Sequence, residues 1–320
     1  MKKNKDGFKF GLAAAFMVVT ITLTVLVMIN YNAVHDFLSS IFYIPSSEKV
    51  EDIEKELDLT YNGQLVFRAS RPVVDDSQNF NSSCGTTDLS APVLGCYENS
   101  TIHIYNIEEP ALTGIMESTA AHELAHAIWA RMSDGEKKAL EPVLEEVYNK
   151  NSDSLAVLSE YAKEARTDEL FARAATEIKN VPSELEKIYA DYFVDRSKIV
   201  SFFDNYYSVF KDLNDKLKSL LSEIESLQKS IETESEDYTT RSNSLKVAIE
   251  EFNNCAETQD CYDYSTFATR RTELTNEQEA LKALYGKIKS EIARYYERID
   301  EYNKNVFKTI YYEGKINSNL

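Results

Sequence analysis

Two histidines and a glutamate lie within one short stretch, 121–126, which reads A-H-E-L-A-H. On a helix, His122 and His126 lie on one face about one turn apart, so both can bind one metal ion. The pattern is H-E-x-x-H, and Glu123 is placed to act as general base on a zinc-bound water. The chain has only 4 histidines in 320 residues, and chance would give roughly 0.005 copies of this pattern. The sequence therefore predicts a Zn²⁺ site.

Small and apolar residues surround this motif, which is typical of a buried helix. They are Thr119, Ala120, Ala121, Ala125, Ala127, Ile128 and Trp129. Pro110 offers a first helical position, and we expect a helix over 111–132. Two histidines and a glutamate are costly to bury without a metal, so this setting favours zinc.

Zinc also needs a third protein ligand. The extended pattern H-E-x-x-H-x-x-G-x-x-H is absent, because Trp129 and Met132 occupy the required positions, and no histidine follows His126. A downstream carboxylate, giving two histidines and one glutamate, is the natural alternative. The competing residues are Glu160, Glu164, Glu169 and Glu177.

Helical periodicity separates these candidates. One stripe at steps of three and four contains Leu158, Ala162, Ala165, Glu169, Ala172 and Thr176. Glu169 is the carboxylate that lies among small, buried positions of this stripe, where an unpaired charge would be expensive. We rank Glu169 first as the third ligand and Glu177 second.

The motif at 122–126, together with the string 167–173 that reads T-D-E-L-F-A-R, resembles gluzincin peptidases of the minigluzincin and lethal-factor-like kind. The resemblance covers roughly 101–177 and implies Glu169 as third ligand, because a helix-borne glutamate in a similar string has that role. The N-terminal apolar segment, the paired-cysteine loop and the string 185–196 also resemble uncharacterised membrane-anchored proteins of small-genome bacteria.

Two further residues are candidates through this resemblance. A tyrosine upstream of the third ligand donates to the oxyanion in lethal-factor-like enzymes, which makes Tyr161 a catalytic candidate, although ordinary packing is the competing interpretation. His103 lies on a predicted strand before the motif helix, where zincins bind extended substrates. Its alternation with Ile102 and Ile104 favours a surface residue, with substrate contact as the alternative.

The first thirty residues predict the compartment. Residues 11–29 carry no charge and approach the roughly 20 residues that span a bilayer. Lysines precede them, so we expect a cytoplasmic tail over 1–10, a transmembrane anchor over 11–30 and an extracytoplasmic remainder in the cell membrane. A cleaved signal peptide is the alternative. The net charge of −18 argues against nucleic-acid binding.

Four cysteines fit an oxidising compartment. Cys84 and Cys96 lie in one polar stretch, and Cys255 and Cys261 in another. This grouping favours two local disulfides, with four unpaired thiols as the alternative interpretation.

The C-terminal part has a heptad period. Apolar residues at steps of three and four form one run, Phe210, Leu213, Leu217, Leu220, Ile224, Leu227 and Ile231, which resumes at Tyr238, Leu245, Ala248 and Phe252. A second run contains Leu281, Leu284, Ile288, Ile292, Tyr295, Ile299, Tyr302 and Val306. The two runs predict an antiparallel coiled-coil hairpin over 201–320, which could also pair with another chain or with itself.

These patterns predict an α+β, mostly α protein. We expect a linker over 31–50 and a zincin-like domain of a small sheet plus helices over 51–200, with a predicted strand at 64–68 among others. The predicted function is a membrane-anchored zinc metalloendopeptidase that cleaves proteins or peptides at the cell envelope. The alternative is a membrane-anchored coiled-coil scaffold with a structural or degenerate zinc site.

Overall fold

A computed structural model describes residues 16–22, 24–25, 27–28, 31–85, 92–258 and 263–319. The protein is mostly helical and contains a three-stranded sheet. The chain divides into two compact units, Met1–Val209 with Glu313–Leu320, and Phe210–Tyr312. We call them the N-terminal unit and the hairpin unit.

The predicted transmembrane anchor is wrong. Among the residues that the structure describes, no helix has the length and apolar content needed to cross a bilayer. Of residues 1–30, the structure describes 16–22, 24–25 and 27–28, all of them helical. The remaining positions of 1–30 lie outside the described residues. The expected single-pass placement in a cell membrane, with its cytoplasmic tail and extracytoplasmic domain, is therefore not supported.

The stretch predicted as a linker contains helix α1, Tyr31–Ile41. Its buried Asp36 accepts two hydrogen bonds from Arg131, from Nε at 2.7 Å and from Nη2 at 3.0 Å. Arg131 also donates to the Tyr97 hydroxyl at 3.1 Å. Because charge-assisted, two-pronged pairs are strong, this contact fixes α1 to the end of the helix that carries the histidine motif.

Helices α2, Glu48–Leu57, and α3, Tyr61–Ala69, precede the sheet. The strand predicted at 64–68 is wrong, because this segment is part of α3. The Thr60 hydroxyl caps α3 by accepting from the Gly63 N–H at 3.1 Å. Gly63, Val66 and Phe67 are buried at helical spacing, which local alternation of apolar and polar residues did not indicate.

The sheet has the strand order β1, β3, β2, with β1 at Val73–Asp75, β2 at Gly95–Glu98 and β3 at Thr101–Tyr105. The predicted strand at 101–105 is confirmed. β3 pairs in parallel with β1 and antiparallel with β2. Ile102 and Ile104 are buried on one face of the sheet. Helix α4, Ser77–Cys84, packs on the other face, where the Phe80 and Tyr105 rings lie 5.5 Å apart.

The motif helix is α5, Ile115–Arg131, and it begins later than the expected start at Pro110, which opens a short 3₁₀ turn, Pro110–Leu112. Gly114 precedes α5 with φ of 93°, in the left-handed region. A Cβ atom at Gly114 would lie 2.8 Å from the carbonyl oxygen of Phe202. Glycine is therefore required there for both conformation and space.

Helix α6 spans Asp134–Lys150, and the periodic stripe from Leu158 to Thr176 does not lie on one continuous helix. This part of the chain consists of a 3₁₀ turn, Ala156–Glu160, followed by helix α7, Lys163–Thr176. Leu155 and Leu158 are both buried. Their spacing of three matches a 3₁₀ turn, which places such residues on the same side.

Aromatic side chains position α7 against α5. The rings of Trp129 and Phe171 lie 5.2 Å apart, and those of Phe171 and Tyr189 lie 5.0 Å apart. Tyr189 belongs to helix α8, Ser183–Ala190, and its hydroxyl donates to the Phe171 carbonyl at 2.8 Å. Burial of these rings holds α7 beside the histidine motif.

Two long helices follow, α9 at Arg196–Thr258 and α10 at Tyr264–Ile316, and the hairpin unit consists of their residues within Phe210–Tyr312. Cross-helix contacts join Phe210 to Tyr312, Tyr238 to Tyr285, Arg241 to Glu277, and Phe252 to Phe267. Residue numbers rise along α9 as they fall along α10, so the helices are antiparallel. Cys255 is disulfide-bonded, and its predicted partner, Cys261, lies outside the described residues.

The seam between these helices differs from the predicted one on α10. From 281 to 312, the buried or half-buried positions of α10 are 281, 284, 288, 291, 295, 298, 299, 301, 302, 305, 306, 309 and 312. Glu291 and Arg298 therefore occupy the seam, while Ile292, predicted to lie in it, is 38% exposed. Long charged side chains can bury their stems while their charged groups reach partners. Here Glu291 lies 3.7 Å from Lys287, and Arg298 lies 3.7 Å from Glu223.

Arg196 hydrogen-bonds to backbone carbonyl groups near the C-terminal end of α7 and directly after it. This buried side chain donates to the carbonyls of Ala174 at 3.2 Å, Ile178 at 2.8 Å and Lys179 at 2.8 Å, and pairs with Glu186 at 2.8 Å. Removing it would leave buried carbonyl groups without donors.

We expect Arg196→Met to lower the free energy of unfolding by about 3 kcal/mol, because several buried hydrogen bonds are lost together. Lys150→Met is the control, since Lys150 pairs with Glu146 on the surface, and such pairs contribute about 0–1 kcal/mol. Urea unfolding followed by circular dichroism measures both. Equal stability of the two variants would contradict the role of Arg196.

Candidate metal centre

Three side chains on α5 and α7 converge at one point. The Nε2 atoms of His122 and His126 lie 3.2 Å apart. Oε2 of Glu169 lies 3.6 Å from Nε2 of His122 and 3.4 Å from Nε2 of His126. Together these three residues can hold one metal ion.

Asp168 determines which nitrogen of His126 faces this point. Its Oδ1 lies 2.7 Å from Nδ1 of His126. Because a carboxylate accepts, Nδ1 donates, and Nε2 of the neutral ring keeps a free lone pair. Carboxylates behind metal-binding histidines orient the ring in this way.

Arg173 bridges two carboxylates, Glu169 within α7 and Glu177 at the C-terminal end of α7. Its Nε donates to Oε1 of Glu169 at 2.7 Å, and its Nη1 donates to Oε2 of Glu177 at 3.2 Å. Arg173 thereby engages one oxygen of Glu169, while the other oxygen faces the histidines. Glu177, the second-ranked ligand, lies behind His122, with Oε1 4.0 Å from Nδ1. It is outside the three-residue group.

Charges within this group outweigh the effect of burial. Burial lowers the pKa of His122, but the Glu169 carboxylate raises it more, and the result lies above 6.5. Burial likewise lowers the pKa of His126, but hydrogen bonds to Asp168 and Glu169 raise it well above 6.5. Burial raises the pKa of Glu169, but the two histidines and Arg173 hold it far below 4.5. Glu169 is therefore ionised at neutral pH.

Glu123 is buried beside the three-residue group and is only 5% exposed. Burial raises its pKa above 4.5, although the neighbouring His126 and His122 oppose this effect. A buried carboxylate close to two imidazoles can exchange protons near neutral pH more readily than a solvated one.

Gly95, the first residue of β2, lies in close contact with the side chain of Glu123. A Cβ atom at Gly95 would lie 2.5 Å from Cγ2 of Thr119 and 2.8 Å from Oε1 of Glu123. The next residue, Cys96, forms a disulfide with Cys84, which confirms the predicted pairing. The disulfide ties β2 to α4, and so keeps the Gly95 backbone beside the glutamate.

Tyr161 also lies near the three-residue group. Burial raises the pKa of its hydroxyl, and the negative charge of Glu169 raises it further, while Arg173 opposes the shift. The break between the 3₁₀ turn and α7 places Tyr161 here, half-buried, and not within a continuous helix.

Other sequence candidates are placed elsewhere. His103 pairs with Asp75, Nδ1 to Oδ2 at 2.7 Å, and it lies opposite Cys96 in the register of β2 and β3. Glu164 is exposed in the first turn of α7. The side chain of Glu160 lies outside the described part of the chain.

Sequence reasoning missed Asp168, Arg173 and Gly95. The sequence did contain signals for two of them, because Asp168 directly precedes Glu169 and Arg173 follows it by four residues. A charged residue at i+4 on a helix commonly pairs with the residue at i. Nothing in the sequence indicated that Gly95 approaches Glu123, because that contact depends on tertiary packing.

In comparisons with known proteins, no protein-family model, no curated protein and no solved structure matches the chain. Function must therefore be argued from the geometry of the site alone.

Proposed function

We propose that this chain is a zinc metallopeptidase in which His122, His126 and Glu169 bind Zn²⁺ and Glu123 is the general base. The observation that carries the proposal is the convergence of three ligand atoms beside a buried carboxylate. Two imidazoles and one carboxylate form the ligand set of many catalytic zinc sites in peptidases.

The spacing of the ligand atoms supports zinc. Tetrahedral bonds of about 2.0–2.1 Å would separate neighbouring ligand atoms by about 3.3–3.4 Å. The three separations here are 3.2, 3.4 and 3.6 Å. Within the described part of the chain the group has three members, which leaves a fourth position open, as in catalytic rather than structural sites.

Bound zinc supplies Lewis acidity, which lowers the pKa of water and polarises a carbonyl group. Glu123 takes the proton from the attacking water and passes it to the leaving amine. Asp168 keeps His126 in the ligating tautomer, and Arg173 holds Glu169 with one oxygen free for the metal. Tyr161 is the candidate donor to the oxyanion of the transition state.

The proposed substrate is an extended peptide segment of a protein. β2 lies at an edge of the sheet, and Gly95 at its start contacts Glu123. An extended chain can add to such an edge through main-chain hydrogen bonds. A peptide bound there would pass beside the general base.

The second candidate function is a scaffold, in which the hairpin unit binds a partner and the zinc site is structural or degenerate. The long two-helix hairpin is the observation that favours it. The peptidase and the scaffold differ in whether activity depends on Glu123.

We expect the purified full chain to contain about one zinc per chain, measured by inductively coupled plasma mass spectrometry. Glu169→Gln should weaken zinc binding at least about 100-fold, because it removes a ligand. Glu177→Gln, the matched control, should weaken it less than about 10-fold, since Glu177 Oε1 lies 4.0 Å from Nδ1 of His122, too far for a hydrogen bond that orients the ring. If Glu177→Gln loses zinc and Glu169→Gln keeps it, Glu177 and not Glu169 is the third ligand.

We expect Glu123→Gln to keep its zinc and to lower cleavage of an unfolded protein mixture by about 10²–10⁴-fold, because the general base is lost. New N-termini, identified by mass spectrometry, measure cleavage. Glu164→Gln is the control, an exposed glutamate of α7 that should retain parental activity. Equal cleavage by zinc-loaded Glu123→Gln and the parent would refute the peptidase, and absence of cleavage by the parent would favour the scaffold.

We expect Gly95→Ala to retain zinc and reduce cleavage at least about 10-fold, since the added methyl group must displace Glu123 or β2. Gly135→Ala is the control, because its added Cβ would meet Ser133 at an ordinary 3.9 Å. Zinc content and cleavage rate are compared for both variants. Full activity of Gly95→Ala would show that this close contact does not position Glu123.

A further inference from the structure

Helix α10 carries an apolar stripe outside the seam of the hairpin. Its exposed members are Tyr285, Ile292, Tyr296 and Ile310, and Ile299 and Val306 continue it as half-buried residues. These six residues follow steps of seven, four, three, seven and four, which is heptad spacing. The helix therefore has two adjacent apolar faces, and α9 covers one of them.

The exposure of this stripe is high for large apolar side chains. Tyr285 is 56% exposed, Tyr296 64% and Ile310 56%, and Phe307 beside them is 71% exposed. Along α9 in the hairpin unit, the comparable exposed residues are Leu221 and Val247, which are too far apart to form a stripe. Contiguous exposed apolar surface of this kind marks an interaction site.

We propose that this stripe is an interface with a second copy of the chain, in which two α10 helices pack antiparallel. Pairing about a centre between Glu297 and Arg298 places Tyr296 opposite Ile299 of the other copy. The same register places Tyr285 opposite Ile310. Four of the six stripe residues therefore meet an apolar residue of the same stripe, as a two-fold symmetric interface requires.

The area is sufficient for a specific pair. Large apolar side chains bury about 150–250 Å² each when fully covered. At their present exposure, the four exposed stripe residues and Phe307 offer roughly 500 Å² per copy and roughly 1,000 Å² per pair. This meets the lower bound of a specific interface and predicts an affinity in the micromolar range.

Sedimentation of the full chain across about 1–100 µM tests this proposal. We expect a species of twice the 36.5 kDa of one chain, in reversible exchange with the monomer. Tyr296→Glu with Ile310→Glu should weaken self-association at least about 30-fold, because charges enter the interface. Leu221→Glu with Val247→Glu is the control, since these exposed apolar residues lie on α9.

Folding of both double variants is checked by helical circular dichroism and zinc content. A parent chain that is monomeric throughout this range would overturn the proposal, as would equal weakening by the two double variants. Neither outcome bears on the proposed peptidase activity.

A distance measurement tests the orientation. Lys282→Cys places a spin label on an exposed position three residues before Tyr285, beside the stripe, and the described cysteines are all disulfide-bonded. In the antiparallel pair the two labels lie about 45 Å apart along the helix axis. A separation of roughly 10–20 Å would indicate parallel helices and overturn the antiparallel interface.

Discussion

Burial of two imidazoles and several carboxylates at one place constrains the rest of the N-terminal unit. His122, His126, Glu123 and Glu169 are all removed from most solvent, and unpaired charges at such depth are costly. Helices α5 and α7 must therefore meet so that the Glu169 carboxylate lies 3.4–3.6 Å from the Nε2 atoms of the two histidines. The polar groups are paired only when the two helices approach this closely, and the aromatic packing around Phe171 stabilises that helix contact. The same atoms that relieve the burial cost form the candidate metal ligands.

Each supporting contact restricts a different freedom of this cluster. Asp168 selects the tautomer of His126, and Arg173 fixes one oxygen of Glu169. Arg196 fixes the chain directly after α7 by donating to the carbonyls of Ile178 and Lys179. On the opposite side, the disulfide of Cys96 holds β2 where it limits the movement of Glu123. Orientation of ligands by such outer contacts commonly changes metal affinity about 10–100-fold.

The local pattern at 121–126 and the stripe through Glu169 were sufficient to predict which residues come together. Both depend on helical periodicity, which acts over a few residues and is visible in sequence. Local alternation at 64–68 predicted a strand and did not indicate the helical burial of Gly63, Val66 and Phe67 in α3. Nor could the sequence show the break at Tyr161, or the approach of Gly95 to Glu123, since tertiary contacts decide both. The apolar run at 11–29 suggested a bilayer span by composition alone, and the described helices do not provide one.

The hairpin unit illustrates a further limit of reading heptads from sequence. On α10, apolar residues lie in two neighbouring stripes, one in the seam and one outside it. A run predicted from spacings of three and four residues can therefore leave the seam stripe and enter the other stripe, as the predicted run does at Ile292. The seam itself then contains Glu291 and Arg298, whose stems are partly buried and whose charged ends lie 3.7 Å from Lys287 and Glu223. Charged residues weaken a seam, whereas Ile292 and Tyr296 would strengthen one. Because α10 has a second apolar face outside the seam with its own hairpin partner, that face is available for a second helix, and this is the physical basis for assigning it to an interface.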